Sequence, residues 1–121
     1  VRNISFLLTT SQVLNQSKTV TRRLGWTNLQ PGTQLQACRK CMGLRKGEQV
    51  EKLTVITVTD VRREPLRRLI DDPSYGRAEA TAEGFPDLDG PGFVAMFCQH
   101  MRVSPDDEVT RIEFAYSPTS G

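Results

Sequence analysis

The stretch from Gln49 to Glu64, "QVEKLTVITVTDVRRE", carries the strongest strand signal in the chain. β-Branched residues dominate it, and Val55, Thr57 and Thr59 alternate with Ile56, Val58 and Asp60. Alternation of this kind puts one set of side chains on each face of a sheet, and branching at Cβ suits the pleated surface. Upstream, "QPGTQLQA" reads as a Pro-Gly turn leading into a strand. Further upstream, "TVTRRL" alternates, with Thr19, Thr21 and Arg23 on one side and Val20, Arg22 and Leu24 on the other. "ISFLL" reads as the first strand, and "TTSQVLNQS" as a short helix capped by Thr10 or Ser11 and anchored by Val13 and Leu14.

Downstream the period changes. "PLRRLI" predicts one or two helical turns with Pro65 at the first position. "PSYGRAEATAEGF" predicts a helix ended by Gly84, and "DGPGFVAMFCQHM" a helix capped by Asp89. In the latter, Phe93, Phe97 and Met101 recur at helical spacing, most simply as core. "EVTRIEFAY" predicts a final strand. The sum is an α+β domain, built on a small curled sheet or barrel of about five or six strands with flanking short helices.

A chain of 121 residues suits one domain over 1–121, with 116–121 expected as a flexible tail. No repeat or low-complexity tract divides it. With 37% apolar and 25% charged residues the chain is expected to fold rather than stay disordered. No apolar run is long enough to span a bilayer, and no signal peptide is visible, so no membrane partner is expected. Three cysteines without a secretory signal read as free thiols in a reducing cytosol, which makes the expected location cytoplasmic.

Net charge is only +2, but its distribution is uneven. Before Asp60, Glu48 and Glu51 face a long series of cations that includes Lys18, Arg22, Arg23, Arg39, Lys40, Arg45 and Lys46. A basic face suits a phosphate-bearing partner; an ordinary solvated surface has the same composition.

"QSKTVTRRLGW", Gln16 to Trp26, holds more hydrogen-bonding and cationic capacity than a structural strand needs. A threonine hydroxyl attacks only when a base takes its proton, and a lysine is such a base only when its ammonium is destabilised by burial or neighbouring cations. Lys18 has the wrong parity to share a face with Thr21, unless it sits at the strand mouth or a bulge. A polar edge strand whose charges resist aggregation is the alternative. Glu79 and Glu83 share a helix face. They are either acid–base partners or solvated charges, and Glu83, just before Gly84, is placed to turn toward a pocket. The C-terminal end of a helix disfavours its carboxylate, which would suit a general acid. Trp26 beside arginines is a stacking platform for a nucleobase or a half-buried core residue.

Cys38, Cys41, Cys98 and His100 are four soft ligands on paper. The second pair lacks standard zinc spacing, and Cys98 falls among Phe93 and Phe97, which favours a buried thiol. "CRKC" follows a strand and opens no helix, so it gives little support to a thioredoxin-like role. No metal and no cofactor are expected.

The order "ISF", short helix, "KTVTRR", "PG" turn, long β-branched strand, helix ending "EGF", another helix and final "IEF" resembles the ASCH domain family, relatives of the PUA fold. The likeness runs from Ile4 to Tyr116. It implies a small β-barrel beside a cleft and a link to RNA or nucleotide processing. Lys18 matches the family's basic residue and Arg23 its arginine, while Thr21 stands where many members have glutamate. The branch that deacetylates acetylcytidine has threonine there. On that likeness Thr21 attacks the acetyl carbonyl, Lys18 is the base, and Glu83 positions or protonates the leaving amine. Arg22, Arg23 and Trp26 are the expected substrate-binding residues, and Arg39, Lys40, Arg45 and Lys46 the expected nucleic-acid-binding ones, as a phosphate-facing patch. The expected partner is RNA or a modified nucleoside. The alternatives are a non-catalytic RNA-binding module and a ribonuclease.

Overall fold

A computed structural model describes residues 1–41 and 45–117 of the chain. Five strands form one sheet: β1 (Arg2–Ser5), β2 (Val20–Arg23), β3 (Gln34–Cys38), β4 (Lys52–Pro65) and β5 (Glu108–Tyr116). Their spatial order is β1-β3-β4-β5-β2, with β1 parallel to β3 and every other neighbour antiparallel. The sheet curls into a half-barrel whose open edges are β1 and β2. The helices are α1 (Thr10–Leu14), α2 (Arg68–Asp71), α3 (Pro73–Ala82) and α4 (Gly90–Met101). The fold is therefore α+β, in the PUA-like arrangement expected from the sequence. No described helix is long and apolar enough to cross a membrane.

The long strand β4 supplies both halves of the interior. Ile56 and Val58 point into a first core with Ile4, Phe6, Val13, Leu35, Ile112 and Phe114. A register shift between Val58 and Asp60 then inserts one extra residue, as a β-bulge does, leaving Thr59 exposed. Beyond it the inward parity changes, and Val61 packs on the same core. Arg62 and Glu64 are thereby turned to the other face. Past the strand, Leu66, Leu69, Ala80, Phe93, Val94 and Val109 form a second core under α2, α3 and α4.

Three local readings differ from the sequence expectation. β1 stops at Ser5; Phe6 N–H still donates to Cys38 O at 2.8 Å, but Leu7–Thr9 wind into a 3-10 turn and leave Leu7 and Leu8 exposed. The cap position of α1 is Thr9, not Thr10 or Ser11, and its side chain makes no capping bond. Pro65 closes β4 rather than opening a helix, because Leu66 N–H and Arg67 N–H donate to Asp107 O and Pro105 O, holding this stretch against the turn before β5. Asp89 caps α4 as expected, accepting from Gly92 N–H at 2.8 Å. β5 runs through Tyr116, and the rest of the expected tail from 118 onward lies outside the described residues, as do positions 42–44 of the basic loop.

Candidate active site

Lys18 lies two residues before β2, outside the alternation of the strand. The segment is braced there: Lys18 N–H donates to Gln12 O at 3.2 Å and Thr19 N–H to Ala82 O at 2.8 Å. Freed from strand parity, the Lys18 side chain turns to the same recess as Thr21. Its Nζ donates to the Glu83 carbonyl oxygen at 2.6 Å and to Oε1 of the same residue at 2.8 Å. Glu83 is the residue at which α3 ends, and Gly84 follows at φ +100°, a conformation that only glycine adopts freely. That reversal brings the carbonyl and the carboxylate of Glu83 onto one ammonium.

The other carboxylate oxygen, Oε2, accepts from Arg22 Nη1 at 3.0 Å. Arg22 also reaches Glu79 Oε1 at 2.5 Å and Glu64 Oε1 at 3.3 Å. Arg111 holds Glu79 from the other side, through Nε at 2.5 Å and Nη2 at 3.1 Å. Strand register explains the crowding. Arg22 pairs with Arg111 across β2–β5, and Arg111 with Arg62 across β5–β4, so three arginines stand in one row. Like charges directly opposite repel; Glu64, Glu79 and Glu83, all buried, thread between them. Tyr75 closes the outer end, its hydroxyl donating to Glu64 while Arg62 donates to it at 2.6 Å. Burial pushes the Glu79 carboxyl up, but Arg111 and Arg22 outweigh it and hold the group down at about 2.

Arg23 behaves differently. Its Nε donates to Thr21 Oγ1 at 3.0 Å and its Nη2 to the Ser5 carbonyl at 2.7 Å. It thus straps edge strand β2 to edge strand β1, with Phe6 beneath its guanidinium at 4.9 Å. Because Arg23 donates to Thr21 Oγ1, the hydroxyl proton of Thr21 is free to point elsewhere.

The recess has a volume of about 270 Å³. Its polar floor is Lys18, Thr21, Arg23 and Glu83; Phe85, Phe93, Met96 and Phe97 wall it, and exposed Leu7, Leu8 and Met101 rim it. Burial pushes the Lys18 ammonium below its ordinary value; Glu83 pulls it back up, and Arg23 and Arg22 push it down again.

The structure thus brings Lys18, Thr21, Arg22, Arg23 and Glu83 together. Arg22 is there as a clamp on three carboxylates, with its side chain fully buried. Trp26 stands apart, in a separate recess with Thr27, Asn28 and Leu29, its ring covered by the Arg2 guanidinium at 3.7 Å. Arg39, Arg45 and Lys46 are exposed and Lys40 half-exposed, on the connection between β3 and β4. Of the two readings open for Glu79 and Glu83, the solvated one falls: both are buried in ion pairs. The stripe on α4 is only in part core, since Phe97 is half-buried and Met101 exposed along the recess, where His100 joins them. Glu64 and Arg111 escaped notice in the sequence. The signal for them was the charges in "VRRE" and "TRIE", alternating with the core-facing Val61 and Ile112 on strands rich in apolar residues. Among the described residues no cluster of histidine, cysteine and acidic side chains is arranged to hold a metal ion.

The chain is similar in structure to an ASCH domain from Lactobacillus crispatus JV V101, with a TM-score of 0.62 at 14% identity, over 95% of this chain and 78% of that one. It is also similar to protein EF3133 from Enterococcus faecalis V583, of the family DUF984, with a TM-score of 0.61 at 15% identity, over 91% of this chain and 67% of that one. No protein-family model and no curated protein matches the sequence. The comparisons thus show the fold, and the chain has that of an ASCH domain.

Proposed function

We propose that the recess is a hydrolytic site for an acyl group carried on the exocyclic amine of a cytidine, and that the chain is a functional member of the ASCH family. The observation that carries this reading is the buried Lys18 ammonium, held 2.6 Å from the Glu83 carbonyl and 2.8 Å from its carboxylate, in the same apolar-walled recess as Thr21. Lysine in its neutral form takes the Thr21 proton as the oxygen attacks the acyl carbon. The Arg23 Nε–H, 3.0 Å from that oxygen, favours its deprotonated form and so eases transfer of the proton to Lys18. Collapse of the tetrahedral intermediate returns the proton from Lys18 to the leaving amine. Water, with its proton taken the same way, then cleaves the threonine ester and releases the carboxylic acid. Glu83 accepts on both carboxylate oxygens, which suits orienting Lys18 rather than protonating the leaving group. The aromatic and methionine walls supply an apolar slot for a planar base.

The test is to incubate the protein with acetylcytidine and follow release of cytidine. Turnover in the wild type, lost in Lys18→Ala and Thr21→Ala, supports the reading; a silent wild type overturns it. A second reading, a module that binds RNA without cutting it, is favoured by exposed Arg39, Arg45 and Lys46. In that case RNA affinity falls steeply with salt, and the slope shrinks when Arg45 and Lys46 are neutralised.

A further inference from the structure

The pair Cys38 and Cys41 takes no part in the recess. Cys38 is the last residue of β3 and fully buried; Cys41 is half-buried and reachable from solvent. Both thiols are free, and their sulfurs are in direct contact. The backbone is shaped for this meeting. The β3–β4 register shifts between Ala37 and Cys38, so the strand bends where the buried thiol sits. Cys38 is paired with Ser5 of β1 and Lys52 of β4; its carbonyl accepts from Phe6 N–H at 2.8 Å, and its Sγ lies 3.4 Å from Gln36 O. The surroundings are cationic. Arg39 and Lys40 lie between the two cysteines, and Lys52 is the cross-strand partner of Cys38. Burial and the neighbouring Cys41 sulfur push the Cys38 thiol up to about 12, with Lys52 opposing only in part, so Cys38 is suited to a second, resolving step rather than the first attack. Cations also draw anionic small molecules.

We propose that Cys38 and Cys41 form a reversible redox site that closes to an intramolecular disulfide by exchange with a low-molecular-weight disulfide bearing carboxylates. The Cys41 thiolate attacks one sulfur of the small disulfide, forming a mixed disulfide and releasing one small thiolate. The Cys38 thiolate then attacks the Cys41 sulfur, closing the protein disulfide and releasing the second small thiolate. Two protein thiols lose two protons and two electrons, and one small disulfide becomes two thiols. The order follows from access: the solvent-reachable sulfur meets the oxidant, and the buried one resolves. Cys98 stands apart from this chemistry, packed with the second core on α4. The site is independent of the hydrolytic reading, since neither sulfur lines the recess.

The experiment equilibrates the reduced full chain in buffers of graded reduced-to-oxidised glutathione ratio, blocks remaining thiols with an alkylating agent after acid quenching, and reads peptide masses. The expected product is a chain lighter by two hydrogens, with Cys38 and Cys41 linked and Cys98 alkylated, reverting fully in excess reduced glutathione. Cys98→Ser gives the same product. Cys38→Ser traps glutathione on Cys41, and Cys41→Ser leaves Cys38 reduced. Circular dichroism of each variant confirms that it is folded. Both thiols still alkylated in the most oxidising buffer, a link through Cys98, or a dimer between chains would each overturn the proposal.

Discussion

Arg22 Nη1 meets Glu83 Oε2 at 3.0 Å, on the carboxylate oxygen that Lys18 leaves free. The guanidinium therefore holds the carboxylate that holds the amine. The same guanidinium sits within ion-pair distance of Glu79 and Glu64. Removing one partner of a buried pair strands the others' charge, at a cost of about 3–5 kcal/mol. Arg22→Met is expected to lose that much stability, read from the midpoint of urea unfolding, and Arg22→Lys clearly less. A loss below about 1 kcal/mol would mean that the carboxylates find water instead.

Lys18 gives the hydrolytic reading a pH signature. Burial places its folded-state value below 10.5, so the neutral amine forms at lower pH than in a free lysine. The rate of acyl transfer rises with pH through that value and levels off above it. Glu83 pulls the value up, so Glu83→Gln moves the rise to lower pH, whatever it does to the plateau. A rise that stays put or moves upward contradicts the coupling. In stability the sign is the opposite of an ordinary ion pair. The folded chain binds fewer protons at Lys18 than the unfolded one, so its contribution improves as pH climbs from the folded value toward 10.5.

Glu79 titrates on the acid side. Its carboxyl is held at about 2, against 4.5 for the free group. At about 1.4 kcal/mol per pH unit this is on the order of 3 kcal/mol of stability. The contribution is fully present above pH 4.5 and lost as pH falls toward 2. Urea unfolding measured across that window should show a steep decline that Glu79→Gln flattens, because the variant lacks the titrating group and starts lower.

Thr21 separates chemistry from architecture. Thr21→Val keeps the shape and removes the oxygen that accepts from Arg23 Nε. Stability should fall by roughly 1 kcal/mol, while turnover of acetylcytidine falls at least ~100-fold. Thr21→Ser restores most of the rate. Equal rates in Val and Thr variants would remove this hydroxyl from the reaction.

The packing of α3 on α4 depends on two glycines. A methyl at Gly76 would stand 2.0 Å from Leu69 O and 2.9 Å from the Gly90 Cα. The obstruction is backbone, which cannot rotate away. Gly76→Ala is expected to cost about 1–3 kcal/mol, although alanine is the better helix former. A variant as stable as the wild type would show that the two helices separate freely.

The sheet was legible because β4 and β5 alternate strongly and their turn residues fall between elements. The edges were not. "ISFLL" looks like one strand, but its second half loses its partners past Cys38 and winds into a 3-10 turn. Helix caps at Asp89 were local enough to read, whereas Pro65 was decided by contacts with the turn before β5, which no window around it contains. At the site, the chemistry of their stretch marked Lys18 and Thr21, and Gly84 marked Glu83, while the resemblance alone gave each a role. Not all of their partners were marked. Glu64 sits on a strand whose facing set changes at the bulge after Val58, and the bulge leaves no mark in residue type; it brings Glu64 near Arg111 of β5. Trp26, next to the arginines in sequence, is carried to a separate recess.

Tyr116 Oη donates to the Lys18 carbonyl at 2.5 Å, joining residues 98 positions apart. The last strand residue thereby fastens the segment that delivers the amine. The recess takes none of its lining from β5, yet β5 is the strand that pairs with β2, which carries Thr21 and Arg23, and it is synthesised long after them. A fragment ending short of Tyr116 could build most of the apolar interior and still leave the amine unmoored, so competence of the pocket is a late event in maturation and reports on completion of the whole sheet.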